Sequence, residues 1–185
     1  MLEDALIQLA RCGIRLRPEV QVADVTVSET YLPGLSLPAR LLMRLGQPAE
    51  RPPYPPLSDA VLRQDAECVC RVDTYLRMAE RLRKLAGDSL PLEQIDSEVD
   101  FQAKTAWVSF LLDGQETRWE LEYNEDWMDP CFFSNFSQRM VRRGASAQLL
   151  RPKLRTGQEI VLVCLSPDQK AALEELTGLH FMSLL

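Results

Sequence analysis

Hydrophobic and polar residues alternate most regularly over residues 105–123. Apolar side chains occupy every second position from Ala106 to Leu112, which is the period of two expected of a β-strand. Asp113 and Gly114 follow, and a type I′ turn needs positive φ at both central residues, which glycine adopts without strain and aspartate better than most residues. The pattern therefore predicts one tight β-hairpin.

A two-residue turn at positions 113 and 114 fixes the register of this hairpin. It places Leu112 opposite Gln115 and Ala106 opposite Leu121, so that the apolar side chains of both strands share one face. A slip by one residue would destroy this agreement. The opposite face then collects Trp107, Ser109, Leu111, Glu116, Arg118, Glu120 and Glu122.

Apolar residues at helical spacing predict five helices along the chain. Leucines and alanines recur at i, i+3, i+4 and i+7 over residues 2–9, which is typical of one buried helix face. The other four helices are marked by capping residues. They are residues 35–45 with Ser36 as N-cap, a helix capped by Asp73 or Thr74, a helix with Asp129 as N-cap and Pro130 next, and a helix opened by the capping box of Ser166 and Gln169.

The remaining apolar segments read as strands. They are residues 66–72, 95–101, 147–154, 159–165 and 179–185, with a turn expected at Thr156-Gly157. From residue 65 the order is β-α-β-β-β-α-β-β-α-β. A consecutive hairpin at its centre favours an α+β fold. We predict an antiparallel or mixed β-sheet with helices packed mainly on one face, preceded by a short helical N-terminal segment.

Five prolines between residues 48 and 56 suggest a division of the chain. Closely spaced prolines favour extended, semi-rigid connecting chain. We therefore expect an N-terminal helical segment over residues 1–47, a proline-rich connector over 48–58, and a main α+β domain over 59–185.

Composition excludes several classes of protein. The 185 residues are 46% hydrophobic and 26% charged, as in ordinary globular proteins, and the net charge is −6. An acidic protein is not expected to bind nucleic acid or an anionic membrane broadly. Five cysteines without a CxxC motif favour free, buried thiols, and no apolar run has the length of a transmembrane helix. We expect a cytoplasmic protein, and the oligomeric state stays open.

Few residues offer catalytic chemistry. The single histidine, His180, would have to serve any Ser/His or Cys/His arrangement. Cys131 or Cys164 could pair with it, but no family signature surrounds either cysteine, and a structural histidine is the favoured reading. Glycine-rich phosphate loops and zinc-ligand spacings do not occur in the sequence. We expect no cofactor and no metal.

The charges are unevenly distributed. Residues 96–130 carry ten acidic side chains and two basic ones, a net charge of −8. No acid occurs between Cys131 and Gln158. We interpret the basic stretch there as a solvated face, with contact to an anion or a protein as the alternative. Its members are Arg139, Arg142, Arg143, Arg151, Lys153 and Arg155.

Aromatic residues lie among the acids. Trp107 belongs to the polar face of the hairpin, and Trp127 follows two acids. Aromatic anchors framed by carboxylates suit a binding surface for a basic protein. The alternative is that a helix covers Trp107 and that Trp127 packs at the start of the next helix. The predicted partner-binding residues are Trp107, Glu116, Glu120, Glu122, Glu125, Asp126 and Trp127.

The stretch from Trp107 to Arg143 resembles uncharacterised bacterial proteins, and the size and acidity of the whole chain resemble bacterial immunity and antitoxin proteins. That resemblance implies a non-enzymatic module that holds a toxin and blocks its active site. Two alternatives stay open. One is a structural subunit of a larger assembly. The other is a metal-assisted hydrolase that uses the carboxylates of Glu120, Glu122, Glu125, Asp126 and Asp129.

Overall fold

A computed structural model describes residues 1–28, 32–154 and 157–185 of the chain. These residues form five α-helices and seven β-strands, so the predicted α+β class is confirmed. The helices are α1 (Leu2–Arg11), α2 (Leu37–Leu45), α3 (Thr74–Ala86), α4 (Phe132–Arg142) and α5 (Pro167–Thr177). The strands are β1 (Leu62–Asp65), β2 (Glu93–Asp100), β3 (Thr105–Leu112), β4 (Gln115–Leu121), β5 (Gln148–Pro152), β6 (Glu159–Leu165) and β7 (Phe181–Ser183).

The strands divide into two antiparallel sheets, a division that the sequence did not predict. One sheet has the order β1-β6-β5-β7 and the other the order β2-β3-β4. The hairpin β3-β4 has the predicted register, with Leu112 opposite Gln115 and Ala106 opposite Leu121. Asp113 and Gly114 both adopt positive φ, as the predicted turn requires.

Helices α3 and α4 lie between the two sheets. Helix α3 contacts β1 and β6 of the first sheet and β2 and β3 of the second. In α4, the ring of Phe136 lies 5.2 Å from that of Phe110 and 4.7 Å from that of Trp119. Because the inner face of β2-β3-β4 packs on these helices, its outer face is left to solvent.

The centre of the four-stranded sheet is buried on both faces. Leu149 and Leu162 belong to the core around α3 and α4, whereas their neighbours Leu150 and Val161 belong to a second core with the N-terminal helices. A strand buried on both faces is apolar without alternation. This explains the continuous apolar run of β6.

The N-terminal helices pack against the rest of the chain. Helix α1 and helix α2 both contact α5. The proline-rich stretch doubles back instead of running extended, because Ala49 N–H donates to Pro55 O at 2.8 Å and Leu57 N–H donates to Gln47 O at 3.1 Å. The division into residues 1–47, 48–58 and 59–185 stays a prediction, although one core contains side chains from both sides of it.

Several predicted boundaries differ from those in the structure, and two of these differences lie beside the loop that follows β4. The strand expected at residues 66–72 lies earlier, at β1, because the side chains that pair with β6 begin at Leu62. Residues 66–69 instead bond to residues 126–128: Val69 N–H donates to Asp126 O, and Met128 N–H donates to Ala66 O, both at 2.8 Å. Helix α4 begins at Phe132, after a separate turn that Asp129 closes. The turn expected at Thr156-Gly157 lies partly outside the described residues.

Candidate protein-binding face

The outer face of the sheet β2-β3-β4 is lined by carboxylates. Cross-strand pairing brings Glu98, Trp107 and Glu120 into one row across the three strands. The next row contains Asp96, Ser109 and Arg118. Side chains that share a face recur at every second position. We call this surface the acidic face: Asp96, Glu98, Asp100, Trp107, Glu116, Arg118 and Glu120.

Trp107 lies at the centre of the acidic face and is half-buried there. Its Nε1 donates a hydrogen bond to Glu98 Oε2 at 3.2 Å. The guanidinium carbon of Arg118 lies 3.9 Å from the centroid of the Trp107 ring. The contacts that partly bury Trp107 therefore include side chains of the two neighbouring strands.

The remaining predicted residues lie in the loop over residues 122–128, directly after β4. Trp127 N–H donates to Asn124 O at 2.9 Å, and Glu125 has a positive φ. These features turn the loop tightly, and the bonds to residues 66–69 hold it in place. Glu122, Glu125 and Asp126 are exposed, and the side chain of Trp127 is 43% exposed.

Two further apolar side chains are exposed at this end of the sheet. Phe101 follows β2, and its ring lies 6.5 Å from that of Tyr123. Val72 accepts a backbone hydrogen bond from Val99 of β2. Val72 and Phe101 are 59% and 40% exposed. Sequence reasoning missed both residues, because their proximity depends on how the chain before α3 meets β2.

Asp129 is buried, and its carboxylate accepts hydrogen bonds from the backbone. Its Oδ2 accepts from Glu122 N–H at 2.8 Å and its Oδ1 accepts from Cys131 N–H at 2.6 Å. Its own N–H donates to the hydroxyl oxygen of Tyr75 at 2.8 Å. Burial is the main cause that raises the pKa of Tyr75 to about 12. Asp129 thus ties the end of β4 to the turn before α4.

The acids of the hydrolase alternative do not line the cleft beside α4 or the two smaller clefts at Arg44 and Arg139. None of these is lined by Glu120, Glu122, Asp126 or Asp129. Within residues 1–28, 32–154 and 157–185, no group of three or more His, Cys, Asp or Glu side chains is arranged so that it could hold a metal ion.

Burial raises the pKa of the thiols of Cys12, Cys68 and Cys164. All five cysteines are free, and Cys70 and Cys131 are exposed rather than buried as expected. Burial raises the pKa of the Cys164 thiol to about 11. A nucleophilic cysteine needs the opposite shift, because the thiolate is the reactive form.

The basic residues between Cys131 and Gln158 lie in two separate regions of the structure. Arg143 pairs with Asp113 at the hairpin turn, and Arg139 lies 5.9 Å from the centroid of the Trp119 ring. Arg151 and Lys153 line a cleft of about 710 Å³ beside α4. Arg155 lies outside the described residues. Sequence reasoning identified the charges but not the cleft.

The chain matches no protein-family model, no curated protein and no solved structure. In the part of the chain that the structure describes, no helix is long and apolar enough to cross a bilayer.

Proposed function

We propose that this chain is a non-enzymatic, cytoplasmic protein-binding module that neutralises a basic bacterial toxin in the manner of an immunity protein. The observation that carries the proposal is the acidic face. Its strands are packed on one side by α3 and α4, while the other side exposes carboxylates around a central tryptophan. The predicted residues Glu122, Glu125, Asp126 and Trp127 extend this surface beyond the end of β4.

The physical argument rests on charge and on pre-organisation. Carboxylates in neighbouring strands create a negative field that steers a basic partner and raises its association rate. Trp107 is already held by Glu98 and Arg118, so little side-chain entropy is lost when a partner covers it. Large aromatic side chains of this kind are frequent binding hot spots.

The first test is capture of the partner. The full chain, immobilised and exposed to lysate of its native host, is expected to retain one dominant basic protein. Mass spectrometry identifies that protein, and its isolated form is then used for kinetics. Retention of an acidic partner, or of no partner, would contradict the proposal.

The second test reverses charge on the predicted surface. The double variant Glu120→Lys and Glu122→Lys is expected to associate on the order of tenfold more slowly at low salt and to show a weaker salt dependence. Both side chains are exposed, so the fold should persist. The matched control is Glu80→Lys with Glu175→Lys, which makes the same charge change on exposed positions of α3 and α5. Equal kinetics in both double variants would reject this surface.

A further inference from the structure

The cleft beside α4 forms where one face of the four-stranded sheet runs past its covering helix. Leu149 of β5 is fully buried in the core with α4. Arg151 lies two residues further along the same face, where it pairs with Met182 of β7, and it is exposed. The floor of the sheet therefore continues beyond the helix, and a cleft of about 710 Å³ remains between them.

The apolar part of the lining comes from three elements. Phe133 belongs to the first turn of α4, Ile160 belongs to β6, and Met182 belongs to β7. Leu184 follows β7 and lines the same cleft. These side chains can cover a hydrocarbon or aromatic body, which would gain free energy by leaving water.

The charged part of the lining is positive. Glu159 also lines the cleft, but Arg63 Nη2 bonds both of its carboxylate oxygens, one of them at 2.6 Å. The side chains of Arg151 and Lys153 make no hydrogen bond or ion pair with any residue that the structure describes. Within the described residues, both cations are therefore available to a ligand in this cleft.

We propose that this cleft binds a small amphipathic anion. A carboxylate or phosphate head group contacts Arg151 and Lys153, and the apolar body lies on Phe133, Ile160 and Met182. Guanidinium groups bind both kinds of oxyanion through two parallel hydrogen bonds. The volume of about 710 Å³ falls in the range of roughly 300–1,000 Å³ that is typical of small-molecule sites, which favours a small ligand over a protein surface.

Calorimetric titration of the full chain with four probes tests the proposal. Octanoate and octyl phosphate have the proposed chemistry and separate a carboxylate from a phosphate head group. Octanol lacks the charge, and octyltrimethylammonium reverses it. We expect one or both anions to bind with one-site stoichiometry, octanol to bind on the order of tenfold more weakly, and the cation not to bind.

Variants locate the binding. Arg151→Gln with Lys153→Gln should weaken anion binding on the order of tenfold or more and remove the preference over octanol. The control, Arg83→Gln with Lys84→Gln, removes the same two residue types from exposed positions at the end of α3 and should leave affinity unchanged. Circular dichroism checks that both variants fold.

Methionine methyl NMR gives a second readout. The chain has six methionines, and the Met182 methyl signal, assigned with Met182→Leu, should shift on addition of the anion. The proposal is overturned if no anion binds, if octanol binds as tightly as the anion that binds best, if both double variants lose affinity equally, or if the Met182 signal stays fixed while the anion binds.

Discussion

The guanidinium of Arg118 lies over the ring of Trp107, with 3.9 Å between the guanidinium carbon and the ring centroid. Its Nε also donates to Glu120 Oε1 at 2.9 Å. One cation therefore contacts the central aromatic residue of the acidic face and one of its carboxylates. Arg118 is the only cation among the residues that define the acidic face. Its positive charge therefore partly neutralises the neighbouring carboxylates.

Arg118→Gln is expected to leave the fold intact and to make the acidic face more negative. The free energy of unfolding should fall by less than about 1 kcal/mol, because exposed cation–π and ion pairs contribute little. Association with a basic partner should become faster at low salt. Urea unfolding and stopped-flow kinetics measure the two effects.

Arg83→Gln is the matched control for that experiment, because it removes one exposed positive charge from α3. A loss of several kcal/mol in Arg118→Gln would show that this arginine is a structural residue. Association that is slower in Arg118→Gln than in the control would mean that Arg118 itself contacts the partner.

The hairpin could be predicted in register because its determinants are local. Alternation over residues 106–112 and the positive-φ turn at Asp113 and Gly114 act within one short segment. The four-stranded sheet depends on pairs such as Leu62 with Leu162, which lie far apart in sequence. No local pattern marks such a pair, so the sequence pattern predicts a first strand that starts four residues too late.

The same distinction applies to the candidate site. Alternation alone placed Trp107, Glu116 and Glu120 on one side of the hairpin. It could not show that β2 adds Asp96 and Glu98 to that side, because the β2-β3 pairing includes an irregularity between Glu93 and Asp96. The cleft with Arg151 and Met182 was equally hidden, since β5 and β7 meet only in the folded chain.

Asp129→Ala is expected to destabilise the protein by about 1–3 kcal/mol, because two partly buried backbone N–H groups lose their carboxylate acceptor. The variant removes the acceptors of Glu122 N–H and Cys131 N–H at once. Asp126→Ala changes an exposed aspartate three residues earlier and should stay within about 0.5 kcal/mol of the parent. Urea unfolding compares them, and equal stabilities would contradict the structural role of Asp129.

Replacing either of two glycines by alanine is expected to lower the stability of the fold, for a different reason at each position. At Gly46, a Cβ would lie 2.6 Å from Arg63 Cβ, so Gly46→Ala should cost about 1–3 kcal/mol through steric overlap. At Gly114, a Cβ would meet nothing within 4 Å, but φ is +74°. Gly114→Ala should therefore cost about 1 kcal/mol through backbone strain.

Asparagine distinguishes the two causes, because it tolerates the left-handed region but is larger than alanine. Gly114→Asn should recover most of the stability that Gly114→Ala loses, whereas Gly46→Asn should be no better than Gly46→Ala. Thermal or urea unfolding of the four variants provides the measurement. Recovery at Gly46, or none at Gly114, would show that the assigned cause is wrong.

Glu174 joins helix α5 to strand β7 and is expected to make stability depend on pH. Its Oε1 accepts from Phe181 N–H at 2.7 Å and from Lys170 Nζ at 2.9 Å. The hydrogen bond from Phe181 and then that from Lys170 hold the pKa of Glu174 below its usual value of 4.5. A carboxyl group whose pKa is lower in the folded state stabilises the fold above pH 4.5, and this contribution is lost as the pH falls through the lower, folded-state pKa.

Glu174→Gln should therefore be less stable than the parent by about 1 kcal/mol at pH 7, since a neutral acceptor bonds Phe181 N–H less strongly than a carboxylate does. The difference should shrink as the pH falls from 4.5 through the lower folded-state pKa of Glu174, where the folded parent also becomes protonated. Glu175→Gln, at the exposed next position of α5, controls for the change in net charge. Urea unfolding between pH 3 and pH 7 follows both variants. If the stability difference between the parent and Glu174→Gln grew toward low pH, the proposed role of the Glu174 carboxylate would be refuted.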